Sequence, residues 1–198
     1  MVLYGGTAIS LHLGHRRSVD FDFFTDRPLS KPASRKAFAF LRDANTLQDA
    51  KDTLVVLVSG AQLRSRDAVK VSFFGGMEFG RVGDPLLSAD GVLEIASLDD
   101  LMAHKLKVIL QRGEKKDYED IAAMIRNGVD LARGLAAARA FFGRTFQPAE
   151  SLKALVFFRD GDLPRLSRAD RATLTGAASA VRGLPFAELR SNSLSIRI

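Results

Sequence analysis

The chain is 198 residues long, with 29 basic and 23 acidic side chains, a net charge of +6, and no cysteine. Without cysteine, thiol catalysis, disulfides and thiolate metal sites are excluded. No apolar run is long enough to span a bilayer and no secretory signal pattern is present, so the default expectation is a cytoplasmic protein of one domain with an appended subdomain.

Val2-Leu3-Tyr4 reads as a short strand running into Gly5-Gly6-Thr7 and then a helix over 7–13. Two glycines let a strand turn sharply into a helix and let a ligand approach the backbone. The free N–H groups of such a helix start, with Thr7 as candidate cap, favour a phosphate. A lone Gly-Gly-Thr equally describes an ordinary strand-to-helix turn. Next in the chain come a basic turn, His15-Arg16-Arg17-Ser18, and a strand over 19–24. Its alternation puts Val19, Phe21 and Phe23 on one face and Asp20 and Asp22 on the other, the two acids roughly 6.5 Å apart at Cα. Carboxylates held that close repel unless a cation lies between them, and Mg²⁺ suits an all-oxygen site that leaves room for phosphate oxygens. Two solvated acids on an edge strand are the plainer alternative.

A helix is expected over 31–43 after Ser30, then a hairpin of strands 45–49 and 53–58 joined at Lys51-Asp52, and a strand over 69–74. Residues 75–91, rich in Gly, Asp and Pro, read as loop before a short strand at 92–96. Ser97 with Asp100 has the form of a capping box. Helices are expected over 98–112, 115–126, 130–142, 149–158 and 167–182, and the adjacent Phe157 and Phe158 suggest burial on more than one side. Lys105 and Arg112, two turns apart, share a face, as do Asp117 and Asp120. A basic pair there would offset charge on triphosphate oxygens, or it would be surface residues lying along an amphipathic helix. The two acids would orient Lys105, Arg112 or a metal, or simply favour the helix start through its dipole. His12, His15 and His104 have no spacing that suggests zinc ligation.

The run Gly5-Gly6-Thr7-Ala8, followed by Leu13 through Phe24, resembles the opening motif of the polymerase-β-like nucleotidyltransferases, and within them the AbiEii-type toxins of type IV toxin–antitoxin pairs. The resemblance continues through 69–75, 98–106 and 112–121, about two-thirds of the chain with the blocks in order. It implies an α/β (α+β) core with a mixed sheet that transfers a nucleoside monophosphate from an NTP to an acceptor with Mg²⁺, releasing pyrophosphate. Gly5, Gly6 and Thr7 would cradle the phosphates and Asp20 and Asp22 would hold metal and act in catalysis. Lys105, Arg112 and Asp117 match the group's later basic and acidic motifs, and Lys70 becomes a phosphate or carboxylate partner. One departure stands out. The strand over 69–74, which in the superfamily commonly carries a third carboxylate, presents Lys70, Ser72 and Phe74. Asp117 or Asp120 would supply the missing charge, or one metal would suffice, or nucleotide would bind without turnover. The family also has more chain ahead of its first strand, so Met1 reads as a trimmed or late start.

The division expected is a nucleotidyltransferase core over 1–125 and an all-helical basic subdomain over 126–198. The core holds 17 basic and 17 acidic residues, and the remainder 12 against 6, eleven of the twelve being arginine. Such a layer suits an RNA backbone, an acidic protein, or merely a solvated surface. The leading expectation is a Mg²⁺-dependent, toxin-like enzyme acting on an RNA or tRNA 3′ end or on a protein hydroxyl, with a cognate antitoxin as partner. A catalytically weak nucleotide- or RNA-binding regulatory module, and a small-molecule nucleotidyltransferase, are the alternatives.

Overall fold

The computed structural model describes residues 1–59 and 67–197. The first strand, β1 (Val2–Tyr4), runs directly into α1 (Gly5–Leu13), with Gly5 at φ +73° making the turn. Tyr4, not Thr7, is the N-cap residue, and no side chain caps this helix. The helix thus begins two residues earlier than the periodicity suggests, because Gly5 and Gly6 themselves enter the first turn. Gly14, at φ +60° and with no Cβ to clash, ends it, and β2 (Phe21–Phe24) returns antiparallel to β1.

Ser30 caps α2 (Lys31–Ala37), its side chain accepting from the Ala33 N–H. The expected helix over 31–43 breaks at Phe38, which is extended (φ −110°, ψ 104°), and resumes as a 3₁₀ turn over Ala39–Leu41. The break lets Phe38 stack on Phe73 at 5.6 Å while Leu41 is fully buried under the sheet, a pair of contacts that takes precedence over helical continuity. The hairpin β3 (Asn45–Ala50) and β4 (Thr53–Val58) and the strand β5 (Val69–Phe74) lie where expected. Within the stretch read as loop, Leu86–Leu87 form a two-residue strand, β6, paired with β7 (Glu94–Ile95). The helices are α3 (Leu98–Val108), α4 (Lys115–Arg126), α5 (Leu131–Phe142), α6 (Pro148–Leu155) and α7 (Arg168–Ala180).

The strands form one mixed sheet in the order β3-β4-β5-β2-β1-β7-β6, with β2–β5 and β1–β7 parallel. One face packs Leu54, Val56, Val58, Val71 and Phe73 with Leu29 and Leu41. The other cluster joins β1 to the helices and continues from Leu101 and Leu106 of α3 through Leu135, Phe146, Leu155 and Leu174, so core and helical extension share a single apolar interior. The close approach of α3 and α5 depends on Gly134, where a Cβ would lie 2.3 Å from Met102 Cγ.

Phe158 lies partly buried against this cluster beneath the Arg171 guanidinium, but Phe157 is 55 % exposed, against the expectation that both are buried. The helix expected to carry them stops at Leu155, and Phe157 lies outward beyond its end. No helix among the described residues is long and apolar enough to cross a membrane.

Candidate active site

A cavity of about 620 Å³ lies between the sheet, the N-terminal turn of α1 and one face of α3. Its floor is built by strand register. Tyr4, Asp22, Ser72, Val55 and Gln48 stand abreast across five strands, and all five line the cavity. Asp20 lies just ahead of β2, also on the cavity wall, with Lys70 Nζ 3.5 Å from its Oδ2. Both acids line the same space, but not by strand alternation: β2 begins only at Phe21 rather than at Val19, and Val19, expected on the opposite face, lines the cavity too.

Gly5 is needed beside Asp22, since a Cβ there would come within 2.7 Å of Asp22 Oδ2 in addition to straining φ. The carboxylate thus lies flush against the glycine turn, and Asp20 and Asp22 together offer hard oxygen donors of the kind Mg²⁺ takes. Ser72 is buried and in register with Asp22, so the position abreast of the dyad on β5 carries a hydroxyl rather than an acid. Among the described residues no group of three or more His, Cys, Asp or Glu is placed to hold a metal.

Thr7 does not reach this space. Its side chain is buried, its Oγ1 donates to the Asp20 carbonyl, and it lies 3.0 Å from Ser18 Oγ. Its contribution is to hold the start of the carboxylate segment against α1, and the expectation that it caps the helix is corrected. Gly5 and Gly6 line the cavity directly.

The basic wall is a buried charge ladder. Lys105 Nζ sits 2.5 Å from Asp117 Oδ1 and 2.7 Å from Asp120 Oδ2, with both carboxylates fully buried. Arg112 lies beyond the end of α3, in the turn before α4, rather than on the expected helix face. Its Nε nevertheless donates to Asp117 Oδ2 at 2.9 Å, so Lys105 and Arg112 converge on one acid. Asp120 also accepts from Arg16, Nε at 2.6 Å and Nη2 at 2.9 Å, and meets His15 Nε2 at 2.8 Å. Burial alone would raise both carboxylates, but these cations hold Asp117 and Asp120 below the usual range. Both acids are paired with cations, Asp117 with Lys105 and Arg112, and Asp120 with Lys105, Arg16 and His15, and of the two only Asp117 also lines the cavity. Arg16 lies within the stretch 13–24 that carries the family resemblance, but the sequence alone assigns it no role. It lies in the basic turn over 15–18, but its partner Asp120 is 104 residues away.

The inner end of the cavity is aromatic. Tyr4 stacks on Phe24 at 4.8 Å, and His104 has Phe79 at 4.3 Å and Tyr4 at 5.0 Å. Burial pushes the His104 imidazole down to about 3. One turn earlier, Ser97 caps α3 by accepting from the Asp100 N–H, but Asp100 does not close the expected box. It accepts instead from the backbone N–H groups of Val82 and Gly83, at 2.9 and 3.3 Å. Burial raises it to about 6.

These two groups oppose each other in pH dependence. Asp100 holds its proton more tightly folded than unfolded, so its contribution is full below 3.8 and lost as pH rises through about 6. His104 holds its proton less tightly folded, so its contribution is full above 6.5 and lost as pH falls toward about 3. Between those limits the slopes cancel. In Asp100→Asn the His104 slope is expected to stand alone. Unfolding free energy from urea titrations should then fall about 1.4 kcal/mol per pH unit faster than in wild type between about pH 6 and pH 4.

Known proteins share this architecture. The sequence matches the family model described as nucleotidyl transferase AbiEii toxin, type IV TA system, over residues 1–184. A protein of Aquifex aeolicus (strain VF5), described as uncharacterized, is 32 % identical over 161 residues, covering 80 % of this chain and 73 % of that protein. Among solved structures, a protein from H. pylori provisionally described as a nucleotidyltransferase superposes with a TM-score of 0.58 at 18 % identity, covering 90 % of this chain and 84 % of the other. JHP933 from Helicobacter pylori superposes at 0.57 and 17 %, covering 90 % and 82 %. At those identities the likeness concerns the fold.

Proposed function

Because the chain belongs to the AbiEii nucleotidyltransferase toxin family of type IV toxin–antitoxin systems, we propose that its cavity binds an NTP with Mg²⁺ and transfers the NMP to a hydroxyl at an RNA 3′ end. The observation that carries this reading is the flush contact of Asp22 with the Gly5 turn, which brings a carboxylate and the uncapped α1 N-terminus to one point. Backbone N–H groups at such a helix start favour phosphate oxygens. Asp20 and Asp22 would hold the ion, which when bound supplies charge neutralisation at the phosphates.

In the transfer, the acceptor oxygen forms a bond to the α-phosphorus, the bond to the β-phosphate oxygen breaks, and pyrophosphate leaves. Lys105 and Arg112, on the cavity wall, offset the charge that develops on the leaving oxygens. Ser72 cannot take a proton as a carboxylate would, so the hydroxyl's proton passes to water. Lys70 draws Asp20 toward β5 and keeps the dyad partly neutralised before metal arrives. A family antitoxin is the expected protein partner.

Incubation with labelled NTPs, Mg²⁺ and total RNA tests the reading, which predicts label joined to RNA. Ser72 favours a second reading, a nucleotide-binding module without turnover, for which saturable NTP binding without transfer is the mark.

RNA as acceptor is supported by exposed arginines of the helical extension, among them Arg165 and Arg168. Arg171 is not one of this set. Its Nη2 donates to the carbonyls of Leu163 and Pro164, and its guanidinium covers Phe158. Replacing Arg165 and Arg168 together by Ala is expected to weaken tRNA binding and lower its salt slope by about 2, read by filter binding across ionic strengths. The same binding and slope in variant and wild type would remove these residues from the acceptor surface.

A further inference from the structure

Arg16 occupies an electrostatically unusual position. A Cβ on Gly6 would lie 2.4 Å from its Nη2, so the guanidinium rests directly on the first turn of α1. That turn carries no capping side chain and no acidic residue of its own, and its positive end is met by the Asp22 carboxylate at Gly5 and by the Arg16 guanidinium at Gly6. Lys105 and Arg112 line the same cavity. Among the described residues, six basic side chains line the cavity against three carboxylates, Asp20, Asp22 and Asp117. An anion with several oxygens would satisfy this surplus.

We propose that Arg16 is a phosphate-binding residue that grips the β,γ end of the triphosphate, and that Asp120 is the positioning residue that presents it. The inference rests on the NTP reading above and deepens it. Asp120 receives Nε and Nη2 in the paired geometry that fixes a guanidinium plane, while Nη1 bends back to the Arg17 carbonyl at 3.2 Å. The plane is therefore set before nucleotide arrives, and the side chain is only 21 % exposed. Asp120 also holds Lys105, so one carboxylate on α4 keeps two phosphate-facing cations at a fixed separation. Gly6 is the third part of the device, since any larger residue would push the guanidinium off the helix end.

The test uses inorganic tripolyphosphate as probe, titrated calorimetrically into the full chain, with NMP as control. Wild type should bind tripolyphosphate, and Arg16→Lys, which keeps the charge but loses the fork, should bind it about tenfold more weakly. NMP affinity should be unchanged. Gly6→Ala keeps every charged side chain and should give a similar loss by displacing the guanidinium, with little further loss when combined with Arg16→Lys. Asp120→Asn should weaken tripolyphosphate binding and raise the KM for NTP, with Arg16→Lys adding less in that background than alone. Equal tripolyphosphate affinity in wild type, Arg16→Lys and Gly6→Ala would overturn the proposal, leaving Arg16 as a brace between α1 and α4. Because the readout is binding, absence of NMP transfer would count against the enzymatic reading alone.

Discussion

Asp22→Asn is expected to reduce NMP transfer by about 10³-fold or more while leaving the fold intact, a loss of about 4 kcal/mol of transition-state stabilisation. The substitution keeps the shape that fits against Gly5 but removes the charge that would hold the ion at the glycine turn. Asp20→Asn should fall in the same direction by less, because Asp20 is partly exposed and already shares its charge with Lys70. Label transfer at saturating NTP and Mg²⁺ measures both. Transfer by Asp22→Asn within a few-fold of wild type would mean that the dyad does not serve the reaction.

The second large effect lies in stability. Lys105→Met leaves Asp117 and Asp120 buried with one cation fewer apiece, and removing a partner from a buried ion cluster costs about 3–5 kcal/mol. Lys105 is 7 % exposed and both acids are fully buried, so solvent offers little compensation. Arg112 and Arg16 remain on the two acids and keep the cost from rising further. Lys105→Arg should recover only part of the stability, since a planar fork cannot place one nitrogen between two carboxylates as an ammonium does. Urea denaturation near neutral pH checks this. Lost transfer with unchanged stability would show that Lys105 contributes to chemistry without holding α3 to α4.

Local pattern and long-range pairing are unequally legible in the sequence. Alternation on β5 places Ser72 with Lys70 and Phe74, because side-chain direction in a strand depends only on neighbouring residues, whereas Asp20 lies ahead of β2 and reaches the cavity together with Val19. The register that sets Ser72 abreast of Asp22 depends on how β5 docks, and nothing local encodes it. The family resemblance carries the fold class, while the sheet order with β6 at its edge emerges only in three dimensions. Helix limits move where tertiary contacts intervene: at Phe38, which breaks α2 to stack on Phe73, and at Val108, where α3 stops and a turn swings Arg112 onto Asp117.

Thr7 and Arg16 exchange the roles their positions suggest. Thr7 follows the two glycines and looks like a phosphate ligand, yet its hydroxyl is buried against the Asp20 carbonyl. Arg16 sits in an ordinary basic turn, yet the fold lays it across the helix start. Which side chain faces a ligand depends on the partners that arrive from elsewhere in the chain, here Asp120. Asp100 shows the same principle, since its capping position is genuine but the Val82 and Gly83 amides outcompete the backbone it was expected to bind.

The central claim, that the Asp20–Asp22 pair and the glycine turn together hold a metal–triphosphate unit, is tested most directly by calorimetric titration of a non-hydrolysable NTP analogue with and without Mg²⁺. The account predicts that Mg²⁺ strengthens binding to the wild-type chain at least tenfold and that this gain disappears in Asp22→Asn. Binding of equal strength with and without Mg²⁺, identical in wild type and variant, would contradict it.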